Sequence, residues 1–244
     1  MPRPPRFFIS AEQITDRHIT ISGEDVRHIA MVLRMKTGDE LLLCDGEGTE
    51  YQTTIAQVGR SEIIADVKAR SKRELRGPRV TLCQGLPKSD KMDWIVQKAT
   101  ELGVASIIPL VTERTIVKIR DEEKRISRWQ KIAREAAMQS NRPTIPKVEK
   151  IQSLDGYIRT LDPDPWTLLI LPWEEGTLPI KEVLRTNPDM KNIIVLIGPE
   201  GGFSAQEAAM GKEKGFHLVS LGQNILRTET AAVSVLSMIG YEFL

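Results

Sequence analysis

The sequence predicts a two-domain α/β protein, with a small β-barrel followed by a parallel sheet covered by helices on both faces. The first seventy residues contain short strand-like runs separated by glycine turns, which is typical of small barrels. From residue 80 onward, apolar strand-like runs alternate with helical ones, which favours a buried parallel sheet. A basic stretch with a Gly-Pro pair separates the two patterns. We therefore predict domains at 1–72 and 73–244.

Short strands separated by polar turns dominate the first domain, and one helix interrupts them. Ser22 can cap this helix, with Asp25 three residues later. Its apolar face would then be formed by Val26, Ile29, Ala30 and Leu33. The predicted strands are 6–10, 18–22, 40–44, 51–58 and 62–68.

In the second domain each strand is a continuous apolar run that is followed by a helical pattern. The first helix illustrates the pattern, because Asp90 can cap it and Gly103 can end it. The predicted strands are 80–86, 106–111, 167–171, 192–197 and 217–221. The predicted helices are 90–103, 121–139, 180–185, one that begins at 204, and 228–243.

Composition excludes several classes of protein. With 41% hydrophobic and 27% charged residues, the chain is expected to fold as a globular protein. It lacks an apolar run of roughly 18 residues and an apolar signal core, so we expect no membrane span and a cytoplasmic location. Cys44 and Cys83 are isolated in apolar runs, which favours buried thiols over a disulfide. The three histidines share no ligand spacing, so no metal is predicted.

The net charge of +1 does not by itself indicate a nucleic-acid partner. Locally, residues 68–79 carry six basic side chains against one acidic, and residues 112–142 carry nine against five. Both stretches could bind phosphates. On charge alone they could equally be a solvated linker and an exposed helix face.

The strand that ends at Ile197 is followed by a glycine loop, the run GPEGGF at 198–203. Ser204 and Glu207 then form a capping box for the next helix. Ligands of open α/β sheets bind at the carboxyl ends of strands. The loop lacks the lysine of a P-loop and places a carboxylate, Glu200, at its centre. It therefore favours a phosphate-free cationic ligand such as S-adenosylmethionine, unless the glycines and Glu200 only turn and cap the chain.

A second unusual segment, the C-terminal loop at 221–227, follows the last strand. Ile225 and Leu226 lie outside any strand period, which is unfavourable unless they pack on something flat such as an adenine ring. Arg227 and Glu229 stand at the start of the last helix, where the helix dipole disfavours an arginine. A role on the substrate would explain that arginine.

The two loops carry a resemblance to a known family. The runs LIGPEGGFS and SLGQNILRTETAAV together resemble the SPOUT class of methyltransferases, and specifically the bacterial 16S ribosomal RNA uridine-N3 methyltransferases. The resemblance covers essentially the whole chain, through RFFIS, HIAMVLRMKTGDE, LPKSDKMDWIVQKATELGV, IIPLVTERT and REAAMQSNR. Residues 151–165 and the run LPWEEG depart from the family's pattern.

This resemblance implies the remaining architecture and the activity. The C-terminal domain would contain a deep trefoil knot, although knots are otherwise nearly absent from proteins. The N-terminal barrel would be a PUA-like RNA-binding domain. As a homodimer, the protein would bind S-adenosylmethionine in the knot. It would methylate N3 of a uridine in the decoding region of 16S rRNA, within the small ribosomal subunit.

We assign the site residues from their places in this framework. Uridine N3 must lose a proton, so Arg227 is predicted to stabilise the uracil carbonyls and Glu229 to orient that guanidinium or accept the proton. Alternatively, the two side chains form an ordinary ion pair. The residues predicted to bind the cofactor are Leu171, Pro172, Gly198, Pro199, Glu200, Gly201, Leu221, Gly222, Ile225 and Leu226. The cations predicted to hold RNA are Arg6, Arg34, Lys88, Lys91 and Arg114.

Other functions stay open on the residues alone. A methyltransferase of the same class could act on a ribose 2′-hydroxyl or on a tRNA base. A ribosome-assembly or RNA-binding protein could hold a small molecule without chemistry. A nucleotide-hydrolysing enzyme is disfavoured, because the glycine loop has no phosphate-binding lysine.

Overall fold

The computed structural model describes residues 4–73, 76–117 and 120–244, which form two compact units. The first unit contains residues 4–73 and 137–145, and the second contains the other described residues. No composition shift predicts that residues 137–145 join the first unit. The domain boundary at 72/73 stays a prediction.

The first unit is built on a five-stranded sheet, as its alternation of short strands and turns predicts. The strands pair in the order β1-β3-β4-β5-β2, with β1 parallel to β3 and the other pairs antiparallel. Alternate residues of β2 and β4 are buried, so one face of each strand supplies the apolar core. The strands are β1 (Arg6–Phe8), β2 (His18–Ser22), β3 (Glu40–Cys44), β4 (Thr49–Val58) and β5 (Glu62–Lys72).

The predicted cap of the first helix is wrong. Helix α1 (Glu24–Arg27) begins after Gly23, which adopts φ +79° and provides no side-chain cap. Ser22 instead ends β2, because its pairing with Glu62 on β5 keeps its backbone in the strand conformation. The serine therefore cannot adopt the capping position that its sequence spacing suggests.

The apolar face of this helix is shorter than predicted. Val26 and Ile29 are buried, but Leu33 is 40% exposed. After α1 the chain forms a π-helical turn over His28–Val32. This turn is wider than an α-helical turn and rotates the following residues away from the buried face.

The second unit contains the predicted parallel sheet. Its strands pair in the order β11-β13-β10-β12-β6-β7-β8, with β9 also beside β7, and every one of these pairings is parallel. The strands are β6 (Arg79–Gly85), β7 (Ser106–Val111), β8 (Lys147–Val148), β9 (Gln152–Ser153), β10 (Thr167–Pro172), β11 (Leu178–Pro179), β12 (Asn192–Ile197) and β13 (His217–Ser220). The helices are α2 (Lys91–Glu101), α3 (Glu122–Gln139), α4 (Leu154–Thr160), α5 (Ile180–Thr186), α6 (Ala205–Glu213) and α7 (Thr228–Phe243), and the last residues of α3, 137–139, belong to the first unit.

Both faces of this sheet are covered, which explains the continuous apolar runs of its strands. On one face Cys83 of β6 shares a core cluster with Tyr157 of α4 and with Phe216, which follows α6. The next residue of β6, Gln84, points to the opposite face and donates to Thr228 of α7. Because each face of such a strand packs against a core, polar residues that face solvent do not alternate with apolar ones along it.

The strand order brings distant turns to one edge of the sheet. Strand β12 lies between β10 and β6, and β13 lies on the other side of β10. Because all four strands are parallel, the turns at their carboxyl ends meet at the same edge. These turns include the glycine loop and the C-terminal loop.

Both cysteines are buried and form no disulfide, as predicted. Burial raises the pKa of Cys44 to about 11 and the pKa of Cys83 to about 12. Cys44 belongs to the first unit and Cys83 to the second. Since the thiolate is the reactive form, neither side chain is activated in the folded protein.

The described residues contain no helix with the length and apolarity needed to cross a membrane. In the same part of the chain, no three His, Cys, Asp or Glu side chains are grouped where they could hold a metal ion.

Candidate functional site

A pocket lies in the second unit at the carboxyl ends of β10, β12 and β13. It is lined by the turn after β10, the glycine loop, the C-terminal loop and the first turns of α7. Eight of the ten residues predicted to bind the cofactor line it, namely Pro172, Gly198, Pro199, Glu200, Leu221, Gly222, Ile225 and Leu226. Of the other two, Leu171 is fully buried in the core, and Gly201 lies against the side chain of Arg114.

The glycine loop folds back on itself. The amide of Gly202 donates to the carbonyl of Pro199 at 2.9 Å, and Gly202 adopts φ +67°. A β-carbon at Gly198 would lie 2.9 Å from the carbonyl carbon of Gly202. Position 198 therefore admits only glycine without a backbone shift.

The capping box predicted after this loop is present. The hydroxyl of Ser204 accepts from the amide of Glu207, and the Glu207 carboxylate accepts from the amide of Ser204 at 2.9 Å. The second carboxylate oxygen of Glu207 accepts from the amide of Glu113 at 2.8 Å. Glu207 thus also fixes the turn after β7, a role that the capping pattern alone cannot reveal.

The floor of the pocket joins three parts of the chain. The hydroxyl of Thr228 donates to the carbonyl of Gly198 at 2.6 Å and accepts from the Gln84 amide group at 2.9 Å. A β-carbon at Gly85 would lie 2.6 Å from the ring of Pro199. The end of β6, the glycine loop and the start of α7 are therefore held as one assembly.

Lys91 lies between two carboxylates of this assembly. Its Nζ is 3.1 Å from Oε1 of Glu200 and 3.3 Å from Oε2 of Glu229. Glu200 also accepts from the amide of Lys88 at 3.0 Å. Lys91 is the first residue of α2, where the helix dipole disfavours a cation, and the two carboxylates offset that cost.

This arrangement favours the charged forms of both partners. Its hydrogen bond to Glu200 is the main cause that raises the pKa of Lys91, and Glu229 adds to the effect. Burial acts to raise the pKa of Glu200, but hydrogen bonds from its own amide, from Lys91 and from Lys88 outweigh it, and the net pKa is lowered. Glu200 is therefore already neutralised by groups of the protein.

Replacing Lys91 with methionine is expected to lower the melting temperature at pH 7 by about 2–4 °C. The folded protein lowers the pKa of Glu200, so this stabilisation is fully present above the ordinary value of 4.5 and is lost as the pH falls below that value through the lowered pKa of the folded protein. Thermal unfolding between pH 3 and pH 8, with Lys91→Arg as the charge-conserving control, measures the effect. A difference that does not depend on pH would contradict the ion-pair explanation.

The two residues predicted to be catalytic do not contact each other as an ion pair. Arg227 precedes α7 as its N-cap and is exposed. It has no ion-pair partner among residues 4–73, 76–117 and 120–244. Glu229 faces Lys91 instead. The guanidinium is therefore available to a substrate, and the roles of both residues stay predictions.

The cations predicted to hold RNA lie in different environments. The Arg6 side chain is only 7% exposed, pairs with Glu50 at 2.8 Å and donates to the carbonyl of Arg142 at 3.0 Å. These contacts engage both terminal nitrogens of its guanidinium, so the structure gives its assignment to RNA no support. Arg34 is exposed and adopts φ +53°, and Lys88 is also exposed. Both assignments stay predictions.

Two further predicted cations contact the pocket's own loops. Arg114 donates to the carbonyl of Gly201 at 2.7 Å, and Lys91 pairs with Glu200. Each of them stabilises the glycine loop in this structure. A contact with RNA stays a prediction for both.

Pro172, the last residue of β10, is predicted to bind the cofactor, but the two residues after it are left unassigned by the sequence. Trp173 and Glu174, from the run LPWEEG, line the pocket. A signal was present, because the run directly follows the carboxyl end of a buried strand. The residues were not assigned because this run departs from the family's pattern.

The residues of the pocket fit a nucleoside with a positive charge. Apolar side chains such as Leu221 and Leu226 can pack on a flat base. The glycine loop brings bare backbone to the pocket wall, since a β-carbon at Gly198 has no room. The carboxylate of Glu174 on the opposite wall suits a cationic group.

Two family models match the chain. The RNA methyltransferase domain matches residues 74–240, and the RNA methyltransferase PUA domain matches residues 21–68. The fold, the pocket and these matches together define a class, that of RNA methyltransferases with a PUA domain.

Curated relatives narrow the class. The ribosomal RNA small subunit methyltransferase E of Bacillus subtilis is 33% identical over 97% of this chain and 96% of its own length. The enzyme of the same name from Aquifex aeolicus is 35% identical over 95% of this chain and 97% of its own length. The chain belongs to the ribosomal RNA small subunit methyltransferase E family, which confirms the family resemblance.

Solved structures agree with this assignment. The ribosomal RNA small subunit methyltransferase E of Neisseria gonorrhoeae, bound to S-adenosyl methionine, matches with a TM-score of 0.88 and 28% identity, over 99% of this chain and 98% of the other. A Legionella pneumophila protein in complex with the same cofactor matches with a TM-score of 0.87 and 30% identity, over 98% of both chains.

Proposed function

We propose that this protein methylates N3 of a uridine in the 16S rRNA of the small ribosomal subunit, with S-adenosylmethionine as the methyl donor. The observation that carries the proposal is the pocket at the ends of β10, β12 and β13, where eight residues chosen from the sequence come together. A family member from Neisseria gonorrhoeae has S-adenosyl methionine bound. Relatives that match the whole chain are named for ribosomal RNA of the small subunit.

When bound, S-adenosylmethionine supplies an electrophilic methyl group attached to a sulfonium. The protein's main contribution to such a displacement is positioning. Hydrogen bonds from Thr228 to the carbonyl of Gly198 and from Arg114 to the carbonyl of Gly201 fix the glycine loop. Apolar residues of the C-terminal loop, Leu221 and Leu226, provide a surface for the adenine ring.

Arg227 and Glu229 have separate tasks in this proposal. The exposed guanidinium of Arg227 stabilises the negative charge that develops on the uracil carbonyls as N3 loses its proton. Glu229 is the proton acceptor through its carboxylate. Its carboxylate pairs with Lys91 and not with Arg227, which argues against the alternative role of orienting that guanidinium.

Each unit carries exposed cations that we assign to RNA in this proposal. The first unit includes the residues that match a PUA domain, and its exposed Arg34 would contact the phosphate backbone. Lys88 would do so beside the pocket. From the family resemblance we also propose a cytoplasmic homodimer and a trefoil knot in the second unit.

The test is methyl transfer from radiolabelled S-adenosylmethionine to small subunits purified from cells that lack the gene. We expect label in 16S rRNA, and mass spectrometry of the digested rRNA should place it on N3 of one uridine. Subunits from cells that carry the gene serve as control and should accept little label. Label on a ribose or on a tRNA would show that the enzyme methylates a different target from the one proposed. Absence of transfer would favour a non-catalytic binding protein.

A further inference from the structure

Two carboxylates line the pocket, and their surroundings differ. Glu200 is neutralised by Lys91 at 3.1 Å and by the amide of Lys88 at 3.0 Å. Glu174 is exposed, and across the described ranges 4–73, 76–117 and 120–244 no side chain pairs with it and no group donates to it. The uncompensated negative charge of the pocket wall is therefore that of Glu174.

The turn that carries Glu174 is fixed to the neighbouring strand. The amide of Trp173 donates to the carbonyl of Val219 on β13 at 3.0 Å, and the amide of Gly176 donates to the carbonyl of Trp173 at 3.0 Å. A β-carbon at Gly176 would lie 2.7 Å from the backbone of Val219. Two hydrogen bonds and one close backbone contact therefore hold the turn in place.

The carboxylate of Glu174 faces the glycine loop. A β-carbon at Gly202 would lie 4.0 Å from Oε2 of Glu174, so the two walls approach each other at this point. Trp173, the preceding residue, is half-buried and packs against the core. The side chain of Glu174 therefore projects toward the pocket from a segment of backbone that is held in place.

A methyl donor with a sulfonium and an α-ammonium group brings positive charge into this space. In a partly shielded pocket, a carboxylate close to this positive charge stabilises the bound donor. The charge of Glu200 is already neutralised by groups of the protein. We propose that Glu174 is the residue that binds the positive charge of the methyl donor, and so selects it over neutral adenosine compounds. This inference rests on the proposed function and adds a specificity-determining residue to it.

Isothermal titration calorimetry on Glu174→Gln tests the proposal. We expect the affinity for S-adenosylmethionine to fall about fivefold, and the fold loss to shrink as salt is added. The affinity for 5′-methylthioadenosine, which keeps the adenosine and the sulfur but has no charge, should stay unchanged. Glu175→Gln is the matched control, because Glu175 is also exposed but does not line the pocket.

S-adenosylhomocysteine, which keeps the ammonium but not the sulfonium, identifies the group that is bound. A loss for both charged ligands assigns the ammonium, and a loss for the methyl donor alone assigns the sulfonium. An unchanged affinity of Glu174→Gln for the methyl donor, or an equal loss for the neutral compound, would overturn the proposal. Failure of the wild-type protein to bind the methyl donor would instead refute the proposed function itself.

Discussion

Replacing Arg227 with alanine is expected to lower the turnover number about a hundredfold, the usual effect of removing one group that stabilises transition-state charge. Cofactor affinity should change by less than about twofold, because the loss falls on the chemical step. The structural reason is that the Arg227 side chain is exposed, with no ion-pair partner in the described part of the protein. Removing it therefore breaks no ion pair or side-chain hydrogen bond within residues 4–73, 76–117 and 120–244.

Single-turnover methylation of small subunits, combined with calorimetry of cofactor binding, measures the two effects separately. Thr230→Ala is a suitable control, since Thr230 is an exposed residue of the same helix. If Arg227→Ala loses turnover and cofactor affinity to the same extent, Arg227 has a structural role and does not stabilise the substrate.

Replacing Gly198 with alanine is expected to weaken binding of S-adenosylmethionine about a hundredfold or more. The added β-carbon would lie 2.9 Å from the carbonyl carbon and 3.0 Å from the α-carbon of Gly202. Both are backbone atoms that cannot rotate away, so the glycine loop must shift. The carbonyl of Gly198, which accepts from Thr228, would shift with it.

Calorimetry on the purified variant measures this loss, and a melting curve shows whether the protein is folded. Gly240→Ala is the matched control, because a β-carbon at Gly240 would have only an ordinary contact, 3.9 Å from Leu244. If Gly198→Ala is folded and binds the cofactor with normal affinity, the glycine loop does not form the cofactor site.

Strands with a clear alternation of apolar residues or a continuous apolar run were predicted well. β2, β3, β7 and β12 have the predicted bounds, and so does α7. Each is long enough for its period or its apolar run to define it. β8, β9 and β11 have two residues each, which is too short for a period to appear, and α4 lies in the stretch 151–165, where no element was predicted. These elements were missed.

The site was predicted where it depends on neighbours along the chain. The glycine loop and its capping box involve residues a few positions apart, and both could be recognised from spacing. The pairing of Lys91 with Glu200 and Glu229 could not, because it requires β12 to lie beside β6. Strand order in a parallel sheet leaves no periodic signal in the sequence.

The positions of the two cysteines have a practical consequence. Cys44 is buried in one unit and Cys83 in the other, so each unit contains a single thiol whose reaction can report its opening. An alkylating reagent can modify either residue only after the surrounding half opens. Mass analysis of the two labelled peptides over time would then give separate opening rates for the two halves, without any engineered probe.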